Sequence, residues 1–261
     1  MIVKLGGSVI THKRESPPKI HEKNLYRIAD ELKVGPNPKV VVLGGGAHGH
    51  QAAHTYGFGD PKTPASRLLE GIPVIRHNMS VLALRTEEEL NKRGLKAVII
   101  PPFIQTIMKN GLVHEFPVDV IRRCLGAGLS VITHGDVCLE QGGSASILSG
   151  DVIVAHLAQS LDADKVLIGT DVDGIYDDNP NTTEAARLVP VVNKSNVDEI
   201  MQKTGPSNST DVTGGMSRKV SELVGIAETS AEVIVFNLSI PGRLSSLLLD
   251  NEVVCTRIRM G

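Results

Sequence analysis

Tryptophan is absent from this 261-residue chain, and aromatic residues make up only 3% of it. Nucleic-acid modules that stack bases need aromatic platforms, so that class of function has little basis here. Neither sign of charge dominates: 27 Lys and Arg stand against 29 Asp and Glu, a formal net charge of −2. Such a balance leaves no broad footprint for nucleic acid or anionic membrane, and any anion recognition must be local. The three cysteines, Cys124, Cys138 and Cys255, lie far apart without CxxC spacing. That pattern fits neither a disulfide framework nor a thiolate zinc site and suits a reducing cytoplasm. No stretch approaches the roughly 20 apolar residues that span a bilayer. The opening "MIVKLGGSVI" carries a charge inside its short apolar run, unlike a signal peptide. A soluble, unprocessed cytoplasmic protein is expected.

The chain is long enough for one large domain or two closely packed lobes. Short β-branched runs recur along it: "MIVKL", "KVVVLGGG", "KAVIIPP", "LSVITHGD", "DKVLIGTDVDG" and "AEVIVFN". They are almost continuously apolar, as expected for parallel strands buried on both faces. Helical segments separate them. "IHEKNLYRIADELK" puts Leu25, Ile28, Ala29 and Leu32 on one face, and "DVIVAHLAQSLDA" does the same with Ile153, Leu157 and Leu161. The alternation predicts an α/β fold. A change in motif type divides the chain into lobes at residues 1–160 and 161–261.

Ligands of open parallel sheets gather beyond the carboxyl ends of strands, and the chemistry-bearing residues fall there. In "KLGGS", Gly6 and Gly7 let backbone N–H groups approach an anion while Lys4 supplies charge and Ser8 follows. A tight turn beside a solvent lysine is the plainer reading. The motif is neither GxxxxGK[ST] nor GxGxxG. Lys13, in "THKRE", reads by itself as a solvated charge. "TDVDGIYDDNP" holds Asp171, Asp173, Asp177 and Asp178 without the spaced ligands and final Glu of a calcium loop. It is either a nucleotide loop or a strand followed by Asp/Gly turns. In "DVTGGMSRK", Gly215 can free backbone donors and Lys219 can reach a polyphosphate, or the loop is simply a surface segment before a helix starting at Ser217. Ser149, Gly150 and Asp151 stand at a helix start, as caps or as anion contacts. In "GGGAHGH", His48 and His50 lie in a glycine loop and His54 on the helix that follows. Their spacing matches no metal motif. A single histidine donating to a phosphate is the sharper reading, an ordinary loop histidine the plainer one.

Taken in order, "MIVKLGGSVITHK", "GGGAHGH", "VITHGD", "ILSGD", "GTDVDGIYDDNP" and "SNSTDVTGGMSRK" resemble the amino acid kinase superfamily, most closely its isopentenyl phosphate kinase branch. The resemblance spans nearly the whole chain but is loose from about residue 55 to 115. It implies a three-layer αβα sandwich around a largely parallel sheet, with acceptor binding on the N-terminal lobe and ATP on the C-terminal one. It also implies Mg²⁺, a homodimer, a phosphate monoester substrate and a place in isoprene biosynthesis by the mevalonate pathway. Position by position, Lys4, Gly6, Gly7 and Ser8 match the loop serving the transferring phosphates. Lys13 matches the lysine that neutralises transition-state charge, and Gly45 and Gly46 match the loop between the two substrates. His50 matches the ligand of the acceptor phosphate. Gly150 matches an acceptor contact, and Asp171, Gly215 and Lys219 match nucleotide contacts. Asp136 and Asp151 fall in supporting positions. His48 stands where that branch carries an aromatic residue. Ile75, Met79 and Leu82 are spaced to line a prenyl pocket or to join the core. The alternatives are a fosfomycin kinase of the same fold and a catalytically silent nucleotide-binding regulator.

Overall fold

Each of the six apolar runs forms a strand, and all six run parallel in one sheet. The computed structural model describes residues 1–178, 183, 185–203, 215–228 and 231–260, with backbone alone at 203 and 215–219. In chain order, β1 (Ile2–Leu5), α1 (Gly7–Ile10), α2 (Glu22–Glu31), β2 (Val40–Leu43), α3 (Gly46–Thr55) and α4 (Ala65–Lys92) come first. Then follow β3 (Ala97–Ile99), β4 (Ile107–Lys109), β5 (Leu112–Glu115), α5 (Val118–Gly126), β6 (Ser130–His134), β7 (Asp136–Glu140), β8 (Ala145–Leu148) and α6 (Gly150–Ser160). The remainder is β9 (Lys165–Thr170), β10 (Val191–Val192), α7 (Val197–Lys203), α8 (Gly215–Ala227), β11 (Glu232–Asn237), α9 (Arg243–Leu248) and β12 (Cys255–Ile258).

The main sheet has eight strands in the order β10-β12-β11-β9-β1-β2-β6-β3. Its centre is β1, flanked in register by β2 (Leu5 opposite Leu43) and by β9 (Leu5 opposite Gly169). Strand direction breaks at one edge, where β12 runs antiparallel to β11. Side chains alternate across the sheet and feed two cores. Val3 and Leu5 pack with Ile28 of α2, Met79 of α4 and Leu247 of α9. Ile2, Val40 and Val42 face the opposite way, toward Ile121 of α5, Leu157 of α6 and Leu223 of α8. Helices on both faces complete the expected three-layer sandwich. The helical faces read from sequence hold too: Leu25, Ile28, Ala29 and Leu32 are fully buried, as are Ile153 and Leu157.

One feature goes beyond the expectations, and two of them need correction. A second sheet, β5-β4-β7-β8, stands apart from the first; its strands are short and half polar, so no continuous apolar run announced them. His48 and His50 belong to α3, as His54 does, because the glycine turn ends at Gly45 and helix begins at Gly46. Helix α8 begins at Gly215 rather than Ser217. All three cysteines are free thiols. Among the described residues no helix is long and apolar enough to cross a membrane.

Candidate active site

The carboxyl ends of β1, β2, β6 and β9 meet at one edge of the sheet, and a cleft of about 620 Å³ opens there. Its polar wall carries Lys4, Gly6, Gly7, Ser8 and Lys13 from the first strand and the chain beyond it. Gly44, Gly45, Gly46 and His50 follow the second strand, Gly135 the sixth, and Gly150 and Asp151 open α6. The two glycine turns touch each other closely. A Cβ on Gly7 would lie 2.2 Å from the Gly46 nitrogen, and Gly46 has φ +48°, so neither position admits a side chain. Gly45 differs. Its nearest protein neighbour would be 3.4 Å from an added Cβ, ordinary contact, so its bareness leaves room in the cleft rather than relieving a clash.

Two lysines reach across the sheet edge. Lys4 on β1 meets Asp151 on α6 at 2.5 Å, both largely buried. Lys13 meets Asp171, just past β9, at 2.6 Å, with the lysine 62% exposed. Burial would raise the Asp171 pKa, but the hydrogen bond and charge of Lys13 outweigh it and hold that carboxyl below its ordinary value. Ser149 caps α6, its hydroxyl accepting from the Val152 amide at 3.2 Å. This cap places Gly150 and Asp151 in the first turn, where the positive helix end favours an anion.

Two of the other acidic residues of "TDVDGIYDDNP", Asp173 and Asp177, serve the fold. Asp173 pairs with Arg243 at 2.6 Å, and Asp177 accepts from the Arg187 amide at 2.7 Å. Two of the α3 histidines, His48 and His50, also separate. His50 is exposed and lines the cleft, whereas His48 is 3% exposed, its Nδ1 lacks a partner, and burial lowers its pKa. Ile75 and Met79 belong to the core and also line the cleft with Phe58, Leu68 and Ile147, forming an apolar recess; Leu82 is buried in the core alone.

Several residues at or beside the cleft gave no signal in sequence. Thr11 joins the two glycine turns, donating to the Gly7 carbonyl at 2.7 Å and accepting from the Ala47 amide at 3.0 Å. Arg76 of α4 pairs with the buried Asp136 of β7, and its guanidinium lies 4.7 Å from the Phe103 ring centre. Burial pushes the Asp136 pKa up against the pull of His134 and Arg76. His134 is driven neutral by burial, and its Nδ1 lies 3.0 Å from the Gly135 carbonyl. Gly135 itself lies close to the Gly150 and Gly45 amides. Gln51 also lines the cleft. Of the sequence-level candidates, the side chain of Lys219 lies outside the described residues, and Gly215 is described as the first residue of α8.

A parallel sheet whose glycine turns and lysines converge on one cleft defines a kinase-like α/β protein, and residues 1–237 match the model of the amino acid kinase family, to which the chain belongs. It is similar to the isopentenyl phosphate kinase of Methanothermobacter thermautotrophicus, 34% identical with 99% of this chain and 98% of that protein aligned. It is likewise similar to that of Methanocaldococcus jannaschii, 32% identical over 98% and 97% of the two chains. A solved isopentenyl phosphate kinase structure superposes with a TM-score of 0.86 at 32% identity, covering 98% of each chain.

Proposed function

We propose that this protein is an ATP-dependent kinase that phosphorylates isopentenyl phosphate to isopentenyl diphosphate. The observation that carries the reading is a single cleft lined both by phosphate-suited groups and by the apolar recess of Phe58, Leu68, Ile75, Met79 and Ile147. One part suits a polyanion and the other a short hydrocarbon tail. A small, polar phosphonate such as fosfomycin has no use for that recess. The full-length similarity to named isopentenyl phosphate kinases supports the same conclusion.

A phosphate monoester has a second pKa near about 6, so at neutral pH it is largely a dianion and needs no general base. One acceptor oxygen attacks the γ-phosphorus. The new P–O bond forms as the bond to the β,γ-bridging oxygen breaks, and that electron pair leaves with ADP. The difficulty is repulsion between two anions and the spread of charge over the moving group, which positioned cations and amides relieve. Lys4, held by Asp151, serves the transferring phosphates together with Gly6, Gly7, Ser8 and Gly46. Lys13 stabilises the transition-state charge. His50 donates from its ring to the acceptor's phosphate, with Gly45 and Gly150 beside it. Asp171, Gly215 and Lys219 serve the nucleotide.

Among the described residues no group of three or more His, Cys, Asp or Glu is arranged to hold a metal. Mg²⁺ carried in on the nucleotide's phosphates keeps several waters and takes only one or two carboxylates, and the cleft lining includes the carboxylates of Asp60, Asp136 and Asp151. Asp151, beside Lys4 at the start of α6, is the carboxylate this reading assigns to the ion, which would neutralise charge on the β- and γ-phosphates. Residues 1–160 form the acceptor lobe and 161–261 the ATP lobe in this reading, supported by strands from each side of that boundary filling separate halves of the main sheet. A homodimer and a role in isoprene biosynthesis rest on the family resemblance, and a cytoplasmic location rests on the three separate free cysteines.

The test is ADP release with isopentenyl phosphate, dimethylallyl phosphate, longer prenyl phosphates, fosfomycin and uridine monophosphate. The isoprenyl monophosphates should turn over fastest. Preference for fosfomycin would favour the phosphonate reading, and ATP binding without turnover of any acceptor would favour a silent regulator.

A further inference from the structure

Residues 11–21 leave the sheet edge, carry Lys13 outward and return. Their neck is closed by pairing of Thr11 with Ile20, by the His12 amide donating to the Lys19 carbonyl at 2.9 Å, and by stacked His12 and His21 rings 4.5 Å apart. Beyond the neck the loop is exposed through Pro17. Helix α3 grips this loop at two points one turn apart. The Ala47 amide donates to Thr11 at the neck, and the Gln51 side-chain Nε2 donates to the Glu15 carbonyl at 2.8 Å farther out. Gln51 follows His50 directly and lines the same cleft as Lys13.

We infer that Gln51 is a positioning residue for phosphoryl transfer, tying the Lys13 loop to the helix that carries His50. The inference rests on the kinase reading above. Lys13 and His50 are assigned to opposite partners in the reaction, the moving phosphoryl group and the acceptor phosphate, so their separation sets how well the two are aligned. A neck fixes only the base of a loop. Lys13 also pairs with Asp171 on the far side of the cleft, and its side chain is mostly in water. Without the second clasp, the loop would follow Asp171 and the nucleotide side alone. Catalysis is sensitive to displacements of about 1 Å, but one exposed hydrogen bond shifts an equilibrium by only about three- to tenfold. The expected effect is therefore modest and confined to turnover.

The experiment compares wild type with Gln51→Met and Gln51→Glu, which keep the length and lose the donor, and with Gln51→Arg, which restores one. Each is measured with ATP and isopentenyl phosphate, alone and in a Lys13→Ala background, with amide hydrogen exchange of residues 12–19 followed alongside. The donorless variants should lose about three- to tenfold in kcat, with KM for ATP within about twofold, and should exchange faster in the loop. Gln51→Arg should recover most of both, and the kcat loss should vanish when Lys13 is already absent. An unchanged kcat, or the same loss in the Lys13→Ala background, overturns the positioning role. Unchanged exchange overturns the clasp. Wild type that never phosphorylates isopentenyl phosphate sinks the functional reading instead, and the exchange measurement still decides whether the clasp exists.

Discussion

His48 and His50 sit two residues apart on α3 and occupy opposite environments. At about 100° per residue, an i, i+2 step turns a side chain through roughly 200°, so one ring enters the core and the other reaches the cleft. Two rings pointed apart cannot share a metal ion. Burial lowers the His48 pKa and favours its neutral form, with Nδ1 unpartnered. His50 lines the cleft with Gly45 and Gly49, and in the proposed reaction it is the ligand of the acceptor phosphate. A positioned donor to a charged oxygen contributes about 10²- to 10³-fold to turnover. His50→Ala should therefore lower kcat/KM for isopentenyl phosphate by about that factor, while ATP affinity, followed by calorimetry, stays near the wild-type value. Unaltered acceptor kinetics would remove His50 from the mechanism.

At the scale of elements, Arg76 of α4 and Asp136 of β7 form a tie that crosses 60 positions of sequence. The Asp136 side chain is fully buried and also accepts from the Val137 amide at 2.9 Å. Arg76→Met would leave that carboxylate without its cation, and breaking one side of a buried pair costs about 3–5 kcal/mol. The expected result is a large fall in the unfolding free energy by denaturant titration, smaller at low pH as Asp136 takes up a proton. Adding Asp136→Asn should recover much of the loss, and equal stability of the single and double variants would contradict this account. The same pair shows why part of the site was hidden in the sequence. Parallel strands buried on both faces leave continuous apolar runs, so β1, β2, β3, β6, β9 and β11 were legible, and the glycine turns and lysines at their ends were legible with them. Arg76 lies in a 28-residue helix within the loosely matching segment. Its partner is remote, and a long-range ion pair leaves no periodicity. Thr11 and Gln51 act through hydrogen bonds to remote backbone groups, which residue type alone does not reveal.

At the scale of the whole molecule, the sheet carries its ligand-binding edge at one end and a buried cation at the other. Lys39, immediately before β2, is fully buried and donates to the Leu32 carbonyl at 2.7 Å and the Val34 carbonyl at 3.2 Å, closing the end of α2. Those carbonyls favour the charged ammonium, but burial prevails and lowers its pKa to about 8. Between pH 8 and 10.5 the unfolded chain therefore holds this proton more fully than the folded one. Stability contributed at this site rises with pH across that window, by up to about 1.4 kcal/mol per unit, and is nearly level below it. Cys138, pushed up to about 12, and Cys255, also raised by burial, act with the opposite sign above pH 9. Because both thiols remain in a Lys39→Met variant, they cancel in the difference between wild type and variant, and above pH 8, past the titration of the Met1 amine that Lys39 also lowers, that difference reports the lysine. Denaturant unfolding from pH 7 to 10 should show wild type gaining on the variant once pH passes 8. A difference that stays constant across the range would remove Lys39 as its source. Turnover should be indifferent to the same substitution, since Lys39 precedes β2 whereas Gly44, Gly45 and Gly46 follow it, with the length of the strand between them.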